Sequence, residues 1–166
     1  HWMVHSFPTR RSSDLTFGGT ANLIGLQSLG DTVIGTGTSA WSCPLCTAYD
    51  DVRTQVIYLQ SEIGPACKFT SLALDVTTVP GQILDNWTIR MKHTALSTHD
   101  TALWDGSGWT TVYQNNETIA TTGWAVFVFP VPFAYNGVDN LMVDFSFSNE
   151  GHTSYGYSRY TYATEY

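Results

Sequence analysis

Two of the three cysteines stand at the spacing used for metal binding and disulfide exchange. Cys43 and Cys46 are separated by two residues, and the third cysteine is Cys67. Two thiolates at this spacing can reach one metal ion, and two thiols can close a small ring. Possible fourth ligands of a zinc site are His93, His99 and His152. We expect one disulfide, either joining Cys67 to one member of the pair or lying within the pair, with a metal site or free thiols as the alternatives.

Oxygen-rich side chains stand at predicted turns and raise the question of a structural Ca²⁺. The candidates for this site are Asp50, Asp51, Asp139 and Asn140. Ca²⁺ accepts about six to eight oxygens in flexible geometry. Such pairs are also ordinary turn residues, and the chain has no D-x-D-x-D-G run. We therefore expect solvated turns and no cofactor, with a structural Ca²⁺ as the alternative.

Aromatic side chains are the most distinctive group that could bind a ligand. Two tryptophans bracket a polar turn, and a tyrosine-rich strand near the end of the chain carries an arginine. Flat rings on a β surface can stack on sugars while Asp or Arg fixes the hydroxyl groups. The candidate ligand-binding set is Trp104, Asp105, Trp109, Tyr155, Tyr157 and Arg159. Two glycines in the tryptophan turn predict a mobile segment that must lose entropy on binding. The competing interpretation is that these rings pack within the fold, or are covered by missing C-terminal sequence or by a neighbouring domain.

Composition limits the classes of protein to which this chain can belong. It has 166 residues, of which 43% are hydrophobic, 14% aromatic and only 13% charged, with a net charge of -7. An acidic chain of this kind lacks the basic surface that nucleic acids require, and no run of about twenty apolar residues predicts direct membrane insertion. Serine-nucleophile, zinc-hydrolase and phosphate-loop motifs are missing from the sequence. We expect a protein that is not an enzyme.

Short segments rich in β-branched and aromatic residues alternate with turn clusters along most of the chain, which predicts an all-β fold. The predicted strands are Asp31–Gly37, Thr54–Ser61, Lys68–Thr77, Asn86–Thr94, Thr110–Gln114, Gly123–Phe129, Asn140–Ser148 and Tyr155–Tyr162. The best helical candidate, Leu96–Leu103, would make one short turn at most. We expect a two-sheet antiparallel β-sandwich of jelly-roll-like topology.

Alternation within the strands predicts which side chains form the core. The expected core is Leu72, Leu74, Val76, Ile89, Met91, Phe127, Phe129, Leu141, Val143, Phe145 and Phe147. In the strand Asn140–Ser148 this pattern directs Asp144 and Ser146 toward solvent. The strand that begins at Gly123 is apolar on both faces, so we expect it to be central in its sheet or covered.

The first fifteen residues differ from the remainder of the chain. Reverse translation of His5–Leu15 permits eleven consecutive codons of a common sequencing-adapter primer. We expect residues 1–15 to be a non-native segment that packs little, 16–30 to be a linker or edge segment, and 31–166 to be the domain, truncated at its C-terminal end. Without residues 1–15 the chain has five basic and thirteen acidic residues, so its net charge falls to -8.

Several strings resemble a β-sandwich accessory module of large secreted and cell-surface bacterial proteins, which often lies beside fibronectin type III or immunoglobulin-like domains. The strings are Val33–Thr38, Arg53–Leu59, Glu62–Gly64, Asn86–Thr94, Gly108–Tyr113 and Pro132–Leu141. The resemblance spans Asp31 to Asn149 and implies an extracellular, non-catalytic role. The sequence departs from the pattern at Ser42–Cys46.

These observations leave three functions open. The first is a non-catalytic extracellular module that serves adhesion, spacing or anchoring beside neighbouring domains of a larger chain. The second is a carbohydrate-binding module that uses surface aromatics to hold a polysaccharide. The third is a fragment of a secreted hydrolase, which would need two carboxylates across a cleft.

Overall fold

The computed structural model describes residues 3–5, 15–18, 32–99 and 104–160. These residues form eleven strands and one short helix. The elements are β1 (Met3–His5), β2 (Leu15–Gly18), β3 (Thr32–Ile34), β4 (Ser39–Trp41), β5 (Asp51–Tyr58), α1 (Gln60–Ile63), β6 (Cys67–Thr78), β7 (Leu84–Thr94), β8 (Thr110–Glu117), β9 (Gly123–Tyr135), β10 (Asn140–Ser148) and β11 (Tyr157–Tyr160). Parts of the predictions for Leu96–Leu103, Tyr155–Tyr162 and residues 16–30 lie outside the described residues.

The strands from β4 to β11 form a two-sheet sandwich. Sheet I has the order β5-β10-β7-β8, and sheet II has the order β4-β11-β6-β9. Every ladder between these strands is antiparallel. Counted along the chain, the eight strands lie in the orders 2-7-4-5 and 1-8-3-6, which is the double Greek key of a jelly roll. The predicted all-β sandwich is confirmed.

The core lies between the two sheets and contains every residue that the alternation predicted for it, none more than 5% exposed. Trp87 is fully buried at its centre, with ring centroids 5.6 Å from Phe127 and 5.8 Å from Phe145. Because successive strand residues point to opposite faces, a two-residue period selects one set of apolar side chains for burial. Each large apolar side chain removed from water stabilises the fold by about 1.5–3 kcal/mol.

The start of sheet I differs from the predicted boundaries. The predicted strand Thr54–Ser61 ends at Tyr58, because Gln60–Ile63 turns into α1. The Glu62 carboxylate accepts a hydrogen bond from the Leu59 backbone N–H at 2.9 Å, which fixes the first turn. The short strand β4 was not predicted, since three residues are too few to show an alternation.

The long strand β9 corrects the expectation that it would be central or covered. Within the described part of the chain it pairs only with β6, so it is the edge of sheet II. Its inward side chains Phe127 and Phe129 are buried, while Trp124, Val126 and Val128 are 47%, 59% and 66% exposed. The sequence showed apolar residues on both faces, but only one of those faces has a cover here.

The N-terminal segment makes more backbone contact than we expected. Met3–His5 pairs in parallel with β5, and Leu15–Gly18 lies between β3 and β6. β5 is an edge of the sandwich, and β11 pairs with the last residues of β6 but not with the earlier ones. Open strand edges present N–H and C=O groups to any extended segment, whatever its side chains. The non-native origin of residues 1–15 remains a prediction from the sequence.

Candidate ligand platform on sheet I

Ionised side chains stand in register on the outward face of sheet I. Gln55 of β5 lies opposite Asp144 of β10, which in turn lies opposite Arg90 of β7. Arg53 is the neighbouring outward residue on β5, and Lys92 is the neighbouring outward residue on β7. The two-residue period of a strand therefore brings three cations, one amide and one carboxylate to the same face.

Asp144 is the centre of this group. Its Oδ2 accepts hydrogen bonds from Arg53 Nε at 2.7 Å and from Gln55 Nε2 at 2.8 Å. Its Oδ1 accepts from Arg90 Nε at 3.1 Å and from Arg90 Nη2 at 2.8 Å. We expected Asp144 to face solvent, but its side chain is 0% exposed. Alternation correctly directed it away from the core; it could not show that other side chains would cover it.

The cover comes from the Trp104–Trp109 segment, which crosses the face. The Gln55 side chain donates to the Asp105 carbonyl and accepts from the Asp105 N–H, each at 3.0 Å. Lys92 Nζ donates to the Ser107 carbonyl at 3.1 Å and pairs with the Asp105 carboxylate. Trp109 Nε1 donates to the Asp105 carbonyl at 2.9 Å. Side chains from the sheet therefore hold a backbone that the glycines alone would leave free, and the mobility expected from those glycines stays a prediction.

Both tryptophan rings lie over cations of the sheet. The Arg53 guanidinium carbon is 5.2 Å from the ring centroid of Trp104. Arg90 and Lys92 lie 5.3 and 5.1 Å from the ring centroid of Trp109. Each such contact contributes about 0.5–2 kcal/mol, depending on desolvation. Arg90 and Lys92 are on the same face of β7, so both contact Trp109 on the side of the ring that faces the sheet. The ring itself is half-buried and remains partly exposed to solvent.

The two arginines keep donor capacity after these contacts are made. Arg53 bonds Asp144 through Nε alone, and Arg90 does so through Nε and Nη2. Both Nη groups of Arg53 and the Nη1 group of Arg90 thus have no hydrogen-bond partner among the described residues. Each arginine side chain is 26% exposed, so these groups are open to water.

The Asp105 carboxyl is an acceptor here and not a proton donor. The hydrogen bond from Lys92 holds its pKa below the ordinary value of 3.8, against the smaller opposing effect of burial. It is therefore ionised at neutral pH. An ionised acceptor with paired cations is suited to holding a polar ligand, whereas general acid catalysis requires a raised pKa.

The tyrosine half of the predicted ligand set lies elsewhere, on sheet II. Tyr155 is 37% exposed, and its hydroxyl lies 3.2 Å from that of Tyr49. The rings of Tyr155 and Tyr157 are 6.1 Å apart at an angle of 53°, so they do not form a flat platform. Arg159 pairs with Asp75 at 2.8 Å and donates to the Thr38 carbonyl at 3.1 Å. The structure brings Trp104, Asp105 and Trp109 together and separates them from the tyrosines and Arg159.

The disulfide joins Cys43 to Cys46, which is the within-pair alternative. Both residues are buried, so the bond is shielded from attacking thiolates. The loop that carries it closes one end of the sandwich. There the Leu45 carbonyl accepts from the Gly156 N–H at 2.9 Å. Cys67 is a free, half-buried thiol whose pKa is raised by burial.

The candidate calcium ligands form two separate pairs. Asp50 and Asp51 lie at one end of the β5–β10 ladder, and Asp139 and Asn140 lie at the other. The Asn140 side-chain oxygen already accepts the Gln60 backbone N–H at 2.8 Å. Across residues 32–99 and 104–160, no three His, Cys, Asp or Glu side chains form a group that could hold a metal ion.

Five residues of this site were not predicted from the sequence. They are Arg53, Gln55, Arg90, Lys92 and Asp144. A signal was present, because the outward rows of β5, β7 and β10 are polar at the strand centres. Polar outward rows are normal for a solvated face, however, so the pattern alone gave no reason to expect a cluster.

Comparisons with protein-family models, with curated proteins and with solved structures found no match for this chain. Among the described residues, no helix has the length and apolar character needed to cross a bilayer.

Proposed function

We propose that the chain is a non-catalytic extracellular module of a larger bacterial surface or secreted protein, where it serves adhesion, spacing or anchoring. The observation that carries this proposal is the exposed apolar row of β9. The thirteen residues Gly123–Tyr135 contain no charged side chain, although edge strands are commonly protected by charges. A neighbouring domain that packs on Trp124, Val126 and Val128 would remove this row from water.

Two further features support the proposal. The carboxylates Asp144 and Asp105 are both held by cations, which favours a structural or binding role over acid–base chemistry. The buried Cys43–Cys46 bond fits an oxidising compartment such as the cell exterior.

Cysteine labelling tests the proposed docking of β9. A Val126→Cys variant in a Cys67→Ser background is exposed to a maleimide in the 166-residue chain and in the complete protein recovered from the full gene. We expect rapid labelling of the chain and protection in the complete protein. Ser97→Cys, at an exposed bend outside β9, is the control and should react in both. Equal labelling of Val126→Cys in the two contexts would contradict docking through this row.

Carbohydrate binding is a second candidate function, favoured by the hydrogen bonds that tie the Trp104–Trp109 segment to the sheet. Its two tryptophans are held about two strand spacings apart, roughly 10 Å, over β5 and β7. A platform that is already ordered loses little entropy on binding. Affinity gel electrophoresis tests this candidate: retardation by a polysaccharide that Trp104→Ala abolishes would support it, and retardation that survives this substitution would exclude the platform.

A further inference from the structure

We propose that the outward face of sheet I binds the carboxylate of an acidic saccharide through Arg53 and Arg90, with Trp104 and Trp109 stacking on the sugar rings. This inference rests on the carbohydrate-binding candidate and specifies its ligand as a uronate-containing polysaccharide.

The first support is the distribution of charge. The chain has seven Lys and Arg residues, and three of them, Arg53, Arg90 and Lys92, meet on this face. Against Asp105 and Asp144 they leave a local charge of about +1 in a chain whose net charge is -7. A positive site on an acidic surface favours the approach of an anionic group to that position.

The second support is the donor geometry of the arginines. A guanidinium has five N–H donors in a planar fork. Asp144 takes one donor of Arg53 and two of Arg90, so most of the donors of both groups remain for a ligand. The two Nη groups of Arg53 form the end-on fork that matches a carboxylate. Asp144 fixes the other side of each guanidinium, so the forks are held in place before the ligand arrives.

The third support is the arrangement of rings beside these forks. Trp104 lies over Arg53, and Trp109 lies over Arg90. A pyranose ring with a carboxylate substituent offers C–H groups for the indole face and an anion for the adjacent guanidinium. A neutral sugar would use the rings alone and leave the forks hydrated.

Affinity gel electrophoresis of the 166-residue chain tests the proposal with three polymers. These are polygalacturonate, the same polymer fully methyl-esterified, and dextran sulfate. We expect retardation by polygalacturonate and at least about tenfold weaker binding to the methyl ester, because esterification removes the anion that the forks recognise. Dextran sulfate serves as a polyanion that lacks a carboxylate, and it should bind weakly.

Matched variants locate the site. Arg53→Lys keeps one donor and the charge for Asp144 but loses the fork, and we expect about fivefold to tenfold weaker binding to polygalacturonate. Trp104→Ala should weaken that binding by at least about tenfold. Lys68→Gln removes a positive charge from an exposed position on sheet II and should change nothing. Thermal unfolding confirms that each variant is folded, and if Arg53→Lys is not, the comparison of polygalacturonate with its methyl ester decides whether the carboxylate is recognised.

The outcomes separate this inference from the function on which it rests. Equal, Trp104-dependent binding to the acid and its ester would keep carbohydrate binding and overturn carboxylate recognition. Equal or tighter binding to dextran sulfate would overturn it in favour of a general anion site. Absence of retardation by any polymer would overturn both.

Discussion

On sheet I the outward side chains are charged and covered by a segment of the chain, whereas on the β9 edge of sheet II they are apolar and open to water. Asp144 is 0% exposed on the first face, and Val128 is 66% exposed on the second. Charged groups are thus buried on the first face, and apolar groups are exposed on the second, which is the reverse of the usual distribution. Because each face carries a cost of this kind, we proposed both as recognition surfaces, sheet I for a polar ligand and the β9 row for a protein neighbour.

The two faces differ in how their arrangement is maintained. On sheet I, hydrogen bonds from Gln55, Lys92 and the arginines determine where each group lies. On β9 the exposed row is positioned by the inward side chains Phe127 and Phe129. Substitutions should therefore disturb stability on the first face far more than on the second.

Loss of the buried carboxylate should produce the largest effect. Asp144→Asn removes the partner of two partly exposed guanidinium groups, and we expect the free energy of unfolding to fall by about 3 kcal/mol in urea titrations. Asp75→Asn breaks the more exposed pair with Arg159 and should cost less than about 1 kcal/mol. Equal losses in the two variants would contradict the difference between the faces.

Removal of the side chain that holds the covering segment should have the next largest effect. Gln55→Ala deletes the bonds to Asp105 and Asp144, and we expect a loss of about 2 kcal/mol. The Asp105 amide should also exchange faster with deuterium. Gln114→Ala at an exposed position of β8 is the control and should stay within about 0.5 kcal/mol of the parent. Unchanged exchange at Asp105 would show that Gln55 does not hold the segment.

The Lys92–Asp105 pair should give sheet I a weak dependence on acid. Because Lys92 lowers the pKa of the Asp105 carboxyl from 3.8, the folded state binds this proton less readily than the unfolded state. The stabilisation, less than about 1 kcal/mol, is complete above the unfolded pKa and disappears as the pH falls through the lowered value. The free energies of unfolding of the parent and Asp105→Asn, measured in urea, should therefore differ at about pH 7, and the difference should shrink as the pH falls below 3.8. A difference in the free energy of unfolding that stays constant with pH would argue against a stabilising Lys92–Asp105 pair.

The smallest effect should come from the apolar face. Val128→Lys adds a charge to the exposed row, and we expect the free energy of unfolding to change by less than about 0.5 kcal/mol, since this side chain packs on nothing that folding requires. Val143→Thr in the core is the contrasting substitution and should cost at least about 1 kcal/mol. A large loss from Val128→Lys would mean that the row is already part of the folded core.

The sequence was sufficient for the sandwich and its core but not for the site. Phe145 and Phe147 could be assigned inward because alternation is a local property of one strand. The position of Asp144 depended on β5, β7 and the Trp104–Trp109 segment, which are distant in sequence and meet only after the sheet forms. The edge position of β9 likewise depended on strand order, which its own apolar residues do not encode.

Tryptophan side-chain NMR tests most directly whether the two faces have separate roles. Indole N–H signals are assigned with single Trp→Phe variants, and a galacturonate oligosaccharide is then added to the chain. We predict that the signals of Trp104 and Trp109 shift in a saturable way while that of Trp124 stays in place. A shift of the Trp124 signal, or unshifted signals of Trp104 and Trp109, would contradict the assignment of ligand binding to sheet I.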